Sequence, residues 1–198
     1  MKNPWIRFIL IAMLLLFTVP VYAGVPLDSV KKSVNDVLDV LRDPKLKPVS
    51  ATEQKKDKLR VIYKSMFDEI EFSKRTLTRN WNNFTPAQRT EFVNLFEQIL
   101  ENSYADKILS YTNERVEFYK EHQLSDTQVE VQSKIITSSK EIPIFYRMIL
   151  KDGKWRVYDV VIENVSLVQN YRTQFSDILA KDSPDKLLDV LRKKLSKK

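Results

Sequence analysis

Apolar residues recur along this chain first with a helical period and later with a strand period. From Leu27 to Arg42 they fall at Leu27, Val30, Val34, Val37, Leu38 and Leu41, with Asp28 and Ser29 near the start and Pro44 beyond the end. That spacing predicts an amphipathic helix. Pro44 to Thr52 reads as a connector, and a second helix is expected from about Glu53 to Met66 through Leu59, Ile62 and Tyr63. Phe67-Asp68 reads as a break, followed by a short helix around Ser73 to Trp81. Thr85-Pro86-Ala87-Gln88 then puts Thr at an N-cap, Pro in the first turn and Gln three residues on, the signature of a capping box. The positions that follow, Phe92, Leu95, Phe96, Ile99, Leu100, Tyr104, Ile108 and Tyr111, predict a long helix from Pro86 to about Leu109.

The period then drops to two. Val116 and Phe118 open a strand; Val129, Val131, Ser133 and Ile135 alternate with Glu130, Gln132 and Lys134; Ile142 to Leu150 follows in the same manner. Asp152-Gly153 marks a hairpin, with the return strand over Trp155 to Glu163. Two further helices are expected, over Leu167 to Leu179 and over Pro184 to Leu195, the second capped by Ser183. The order is helices, a four-stranded antiparallel meander, then helices: an α+β domain with helices packed around a twisted sheet.

Strict alternation along the last strand sends Trp155, Val157 and Val161 to one face with Asp159 and Glu163, and Tyr158, Val160 and Ile162 to the other. Both faces of the sheet are therefore substantially apolar. Two arrangements satisfy this: helices covering both faces, or one face lining a cavity for an apolar ligand together with the aromatic stripe of the long helix. Composition does not choose between them.

The first 23 residues change the chemical setting. Lys2 and Arg7 precede an uncharged apolar run from Phe8 to Phe17, and Val21-Tyr22-Ala23 offers an A-x-A-like site. This reads as a signal peptide cleaved after Ala23, since a membrane span wants about 20 apolar residues. The remainder, residues 24–198, reads as one domain. The chain carries 33 Lys+Arg and 26 Asp+Glu, a net +7 that falls to +5 when Lys2 and Arg7 leave (7 − 2). In an exported protein such a charge points to membranes and envelope partners, with nucleic acid not expected.

Counts of a few residue types exclude much chemistry. There is no Cys, one His and two Gly, so thiol nucleophiles, Cys-ligated zinc, paired His ligands and glycine-rich phosphate loops are all excluded. Neither a cofactor nor a metal is expected. The one acid–base constellation that can be written is Asp159 with Glu163, which would suit an enzyme built on a cone-shaped fold.

Trp155-Arg156-Val157-Tyr158-Asp159-Val160, then Ile162 to Val168 and Asn170 to Phe175, closely resembles the MlaC-type, or toluene-tolerance, family. So does the stretch from Trp81 through Thr85-Pro86-Ala87-Gln88 to Tyr104; the resemblance runs from about Leu27 to Leu195. Two departures stand out: Asn164 and Thr78 occupy positions where that family usually has Gly. The resemblance implies a nuclear-transport-factor-2-like cone with extra helices enclosing an apolar pocket. It also implies a non-enzymatic periplasmic phospholipid carrier, monomeric, serving outer-membrane lipid asymmetry. Its partners would be an inner-membrane MCE-domain ABC transporter complex and an outer-membrane lipoprotein complex. A hopanoid-like lipid is the alternative cargo. The expected lipid-binding residues are Phe92, Phe96, Leu100, Tyr104, Val131, Tyr146, Met148, Val157, Leu167, Tyr171 and Phe175. Trp155, Tyr158, Asp159, Ser166 and Arg172 are expected to form a structural motif, with Asp159 accepting hydrogen bonds at the strand-to-helix junction and Arg172 as its partner.

Overall fold

A computed structural model describes residues 25–110 and 114–196. The signal peptide expected over residues 1–23 and the expected helical position Tyr111 lie outside the described residues. The helices are α1 (Val25–Arg42), α2 (Thr52–Met66), α3 (Glu69–Leu77), α4 (Pro86–Leu109), α5 (Leu167–Leu179) and α6 (Pro184–Ser196). The strands are β1 (Arg115–Ser125), β2 (Gln128–Ile136), β3 (Glu141–Lys151), β4 (Lys154–Ile162) and β5 (Val165–Ser166), between α4 and α5. No described helix is long and apolar enough to cross a membrane.

The long helix starts where its capping box dictates. The Gln88 N–H donates to Thr85 Oγ1 at 3.2 Å and the Thr85 N–H to Gln88 Oε1 at 2.9 Å, which satisfies donors that the first turn otherwise leaves open. The short helix differs from its expected span. Asp68 is its N-cap, accepting from the Glu71 N–H at 2.9 Å, so α3 begins at Glu69 and not near Ser73. It ends at Leu77 because Thr78 takes φ 52° and ψ −129°; Trp81 then lies in a 3₁₀ turn over Thr78–Asn83.

All strands pair antiparallel in the order β1-β2-β3-β4-β5. The sheet thus has five strands where four were expected. Glu163 and Asn164 both take positive φ, 49° and 66°, and make a two-residue turn that brings Val165 back against Ile162. A strand of two residues carries no alternation to be read. The Asp152-Gly153 hairpin is built alike, with φ 51° and 72°.

One irregularity reassigns the faces of β4. Arg147 pairs with Asp159 but Met148 pairs with Val157, so Tyr158 is an extra residue opposite a single step of β3. This bulge inverts the alternation beyond it. Trp155, Val157, Val160 and Ile162 consequently share one apolar cluster, whereas strict alternation had put Val160 and Ile162 opposite Trp155 and Val157. The α2–α3 break fastens beside the bulge: the Asp68 N–H donates to the Val157 carbonyl at 2.9 Å.

Two apolar cores result. The first joins Phe72, Leu77, Trp81, Phe84, Phe92, Phe96, Tyr171, Phe175 and Leu188, all from helices and their connecting turns. The second joins the sheet to Val30 of α1 and Met66 of α2. Phe67 and Leu167 pack against both.

Candidate functional site

The second core is the unusual one, because much of it is not fully closed. Its floor is the surface made by Val129 and Val131 of β2, Met148 of β3 and Val157 of β4, each 0–1% exposed. Around this floor stand half-buried side chains: Phe118, Ile144, Tyr146, Leu150 and Ile162 from the sheet, and Leu27 and Val34 from α1. Tyr146 is the clearest case. Burial pushes its hydroxyl up to about 12, partly offset by Ser133, yet the residue keeps accessible surface. It lies deep in the protein, on the apolar face of the sheet. The helix above is tethered at its start, where the Leu27 N–H donates to the Glu121 carboxylate of β1 at 3.0 Å.

Two surface pockets open elsewhere on the molecule, and no residue of this floor lines either. One, about 410 Å³, is lined by Phe67, Asp68, Glu69, Lys151, Lys154 and Arg156 where the α2–α3 break meets the β3–β4 hairpin. Another, about 360 Å³, lies between α1 and α2 beside Val40, Val61 and Ile62. Asp68 is paired with Lys151 at 2.9 Å. Burial alone would raise its pKa, but Lys151 and the Glu71 N–H hold the carboxyl below its ordinary value. Glu69 shifts upward, from burial and then from the neighbouring Glu97 charge.

The opposite face of the sheet is polar and knitted to the helices. Asp159, 2% exposed, accepts from Ser166 Oγ at 2.6 Å, from the Val168 N–H at 3.0 Å and from Arg147 at 3.2 Å. Arg147 also binds Glu130 at 3.0 Å. Asp159 thus holds the strand-to-helix junction as expected, but its cationic partner is Arg147 and not Arg172. Arg172 donates instead to the Arg75 carbonyl at 3.1 Å and to Gln169. The reason is register: Arg147 lies directly opposite Asp159 on β3, whereas Arg172 on α5 faces α3. Tyr158 receives the Arg75 guanidinium over its ring at 3.7 Å and donates to Gln128 at 2.9 Å. Ser166 caps α5 by accepting from the Gln169 N–H at 3.0 Å. Asp159 and Glu163 do not share a strand face: β4 ends at Ile162, and Glu163 sits exposed in the turn, paired with Lys140 at 3.1 Å.

The eleven residues expected to line one pocket divide between the two cores. Val131, Tyr146, Met148, Val157 and Leu167 belong to the sheet core. Phe92, Phe96, Leu100, Tyr104, Tyr171 and Phe175 belong to the helical core, where Leu167 also reaches. There Phe96 stacks edge-on against Tyr171 at 4.8 Å and against Phe175 at 5.4 Å. Rings in direct contact leave no space between them for a ligand. Residues of the sheet core that sequence reasoning left out are Leu27, Val30 and Val34, whose amphipathic spacing is plain but says nothing of what the helix covers. Ile144 was missed too, and Val160 and Ile162 were hidden by the bulge.

The sequence pattern of the MlaC protein family matches residues 31–193. A Haemophilus influenzae protein named intermembrane phospholipid transport system binding protein MlaC is 26% identical over 127 residues, 62% of this chain and 59% of that one. The match therefore spans about three fifths of that relative's length. The toluene tolerance protein ttg2D of Pseudomonas putida is 24% identical over 167 residues, 83% of this chain and 78% of the relative. Among solved structures, a phospholipid-binding protein from Ralstonia solanacearum, determined in complex with a phospholipid, superposes with a TM-score of 0.78 at 24% identity. That superposition covers 87% of this chain and 97% of the other, and it shows a common fold. Matched from within α1 to within α6, the chain belongs to the MlaC protein family.

Proposed function

We propose that this protein is a soluble periplasmic phospholipid carrier, exported by cleavage after Ala23. In this reading it moves lipid between the outer membrane and an inner-membrane MCE-type ABC transporter, meeting an outer-membrane lipoprotein complex at the other end. The observation that carries the reading is the half-buried apolar surface of the sheet beneath α1, with Tyr146 deep within it. It is supported by the names of the relatives and by the bound lipid of the Ralstonia protein. Acyl chains would lie between α1 and the sheet, in a cone-like nuclear-transport-factor-2 arrangement, with the headgroup at the hairpin end. Because α1 is packed down on Val129 and Val131, loading requires it to lift.

The energetics suit a carrier with a greasy, poorly selective interior. Two acyl chains of about fifteen carbons gain roughly 25 kcal/mol over water at ~0.8 kcal/mol per buried CH₂. A bilayer offers almost the same, so the difference that loads or unloads the protein is small, and partners are able to tip it. No reacting group is required, and Asp159 has its acceptor sites occupied by structural donors. The test is mass spectrometry of an organic extract of the purified protein. About one equivalent of phospholipid is expected; a lipid-free extract from protein purified without detergent would overturn the proposal.

A further inference from the structure

The apolar sheet face contains one group that does not belong in a purely hydrocarbon site. Trp155 is 8% exposed and lies in the same cluster as Val30, Val129 and Met148. Its indole Nε1–H is sealed from solvent and has no hydrogen-bond partner. Among the described residues the only other buried side-chain nitrogen or oxygen so placed is Glu69 Oε1, at the first surface pocket. Tyr158, three residues along β4, does have its acceptor, Gln128 at 2.9 Å. A buried donor left unmatched is costly, and such groups are normally paired.

The position of Trp155 narrows what would pair with it. It opens β4 beside the Asp152-Gly153 hairpin, at one end of the apolar face. Its sequence neighbours Lys154 and Arg156 alternate to the other face of β4 and line the surface pocket at this end of the sheet, where Arg156 donates to the Lys64 and Ser65 carbonyls at 3.0 and 2.7 Å. A diacyl lipid laid along the apolar face, with its phosphate at the hairpin end near the exposed Lys154, would have its ester carbonyls at the boundary between hydrocarbon and polar end. Resting on the carrier reading above, we infer that the Trp155 indole N–H donates to an ester carbonyl of the bound lipid. The indole is then a specificity-determining residue that favours ester-linked diacyl lipids over apolar cargo lacking a carbonyl, such as a hydrocarbon polycycle.

Delipidated ¹⁵N-labelled protein is loaded with either a diacyl phosphatidylglycerol or the dialkyl ether lipid of the same headgroup. The ether keeps the phosphate and lacks the carbonyls. The Trp155 indole ¹H–¹⁵N resonance, assigned by its loss in W155F, is expected to move downfield with the ester lipid and not with the ether. In competition the ester is expected to win by about three- to tenfold, and this preference should vanish in W155F while pickup persists. Equal indole positions with both lipids, or a preference retained in W155F, would overturn the inference and leave the carrier reading intact. Rapid solvent exchange of that indole proton in lipid-free protein would also overturn it, since a water would then be its partner. Binding of neither lipid would instead break the carrier reading. The two-lipid comparison on the unsubstituted protein decides the matter even if W155F does not fold.

Discussion

Arg147 and Asp159 face each other across the β3–β4 ladder, joined by a 3.2 Å ion pair, while the next residues, Met148 and Val157, point to the other side of the sheet. The bulge at Tyr158 makes this possible, placing a charged seam and an apolar floor back to back. Asp159 binds Ser166, Val168 and Arg147 together, so Asp159→Ala removes one acceptor from three donors. We expect a loss of about 2–4 kcal/mol, measured as a lowered urea midpoint at unchanged slope. A loss below about 0.5 kcal/mol would mean that the seam does not hold the strand-to-helix junction.

Thr78 has φ 52° and ψ −129°, a conformation that glycine adopts freely and a β-branched residue does not. Thr78→Gly should therefore stabilise the protein by about 1 kcal/mol, read as a rise in melting temperature of a few degrees. Asn164, at φ 66°, is better tolerated, and Asn164→Gly should gain less. The two positions where the resemblance led glycine to be expected thus both have positive φ. A fall in stability for Thr78→Gly would refute this account.

Under the proposed placement of the lipid, the division into two cores separates stability from cargo. Ile144→Glu puts a carboxylate into the half-buried sheet core and should reduce co-purified lipid by tenfold or more while the protein remains folded. Phe96→Ala removes the ring at the centre of the aromatic cluster and should cost about 3–5 kcal/mol, with lipid stoichiometry unchanged in the folded fraction. The reverse pattern, with Phe96 controlling lipid and Ile144 controlling only stability, would move the site to the helical core.

Neighbouring carboxylates at the first surface pocket should give opposite pH signatures. The folded-state pKa of Asp68 is depressed below its reference of 3.8, so its contribution is present above that value and is lost as pH falls through the lower folded value. That of Glu69 is raised above 4.5, so its ionised form weighs against folding at neutral pH, and the penalty disappears as pH falls below 4.5. Melting curves from pH 3 to 7 should show Asp68→Asn less stable than the parent at pH 7 and Glu69→Gln more stable, with the differences closing in acid. A Glu69→Gln variant less stable at pH 7 would contradict the sign.

Much of this architecture is legible in the sequence, because capping residues and long amphipathic periods act locally. The Thr85–Gln88 box sets the start of α4 on its own. What escapes is set by pairing between distant strands. Nothing in Trp155-Arg156-Val157-Tyr158-Asp159 announces that Tyr158 will be the extra residue; the requirement comes from register with β3 and from the Asp68 N–H meeting the Val157 carbonyl. A one-residue slip exchanges the faces, and so strict alternation sent Val160 and Ile162 to the wrong side of the last strand. The long aromatic stripe is ambiguous for another reason: helical spacing marks a buried side and does not tell a filled interior from a pocket. Arg172 was misplaced because charge complementarity without register does not choose among several cations.

The aromatic assembly contains no strand residue. Under the proposed placement of cargo, the chain keeps its cohesion in a region the passenger never enters. A vacant molecule would then be nearly as durable as a loaded one, apart from the mass-action gain that any bound guest confers. Such a shuttle returns empty without unfolding, and its traffic is governed by how readily one helix rises from a sheet.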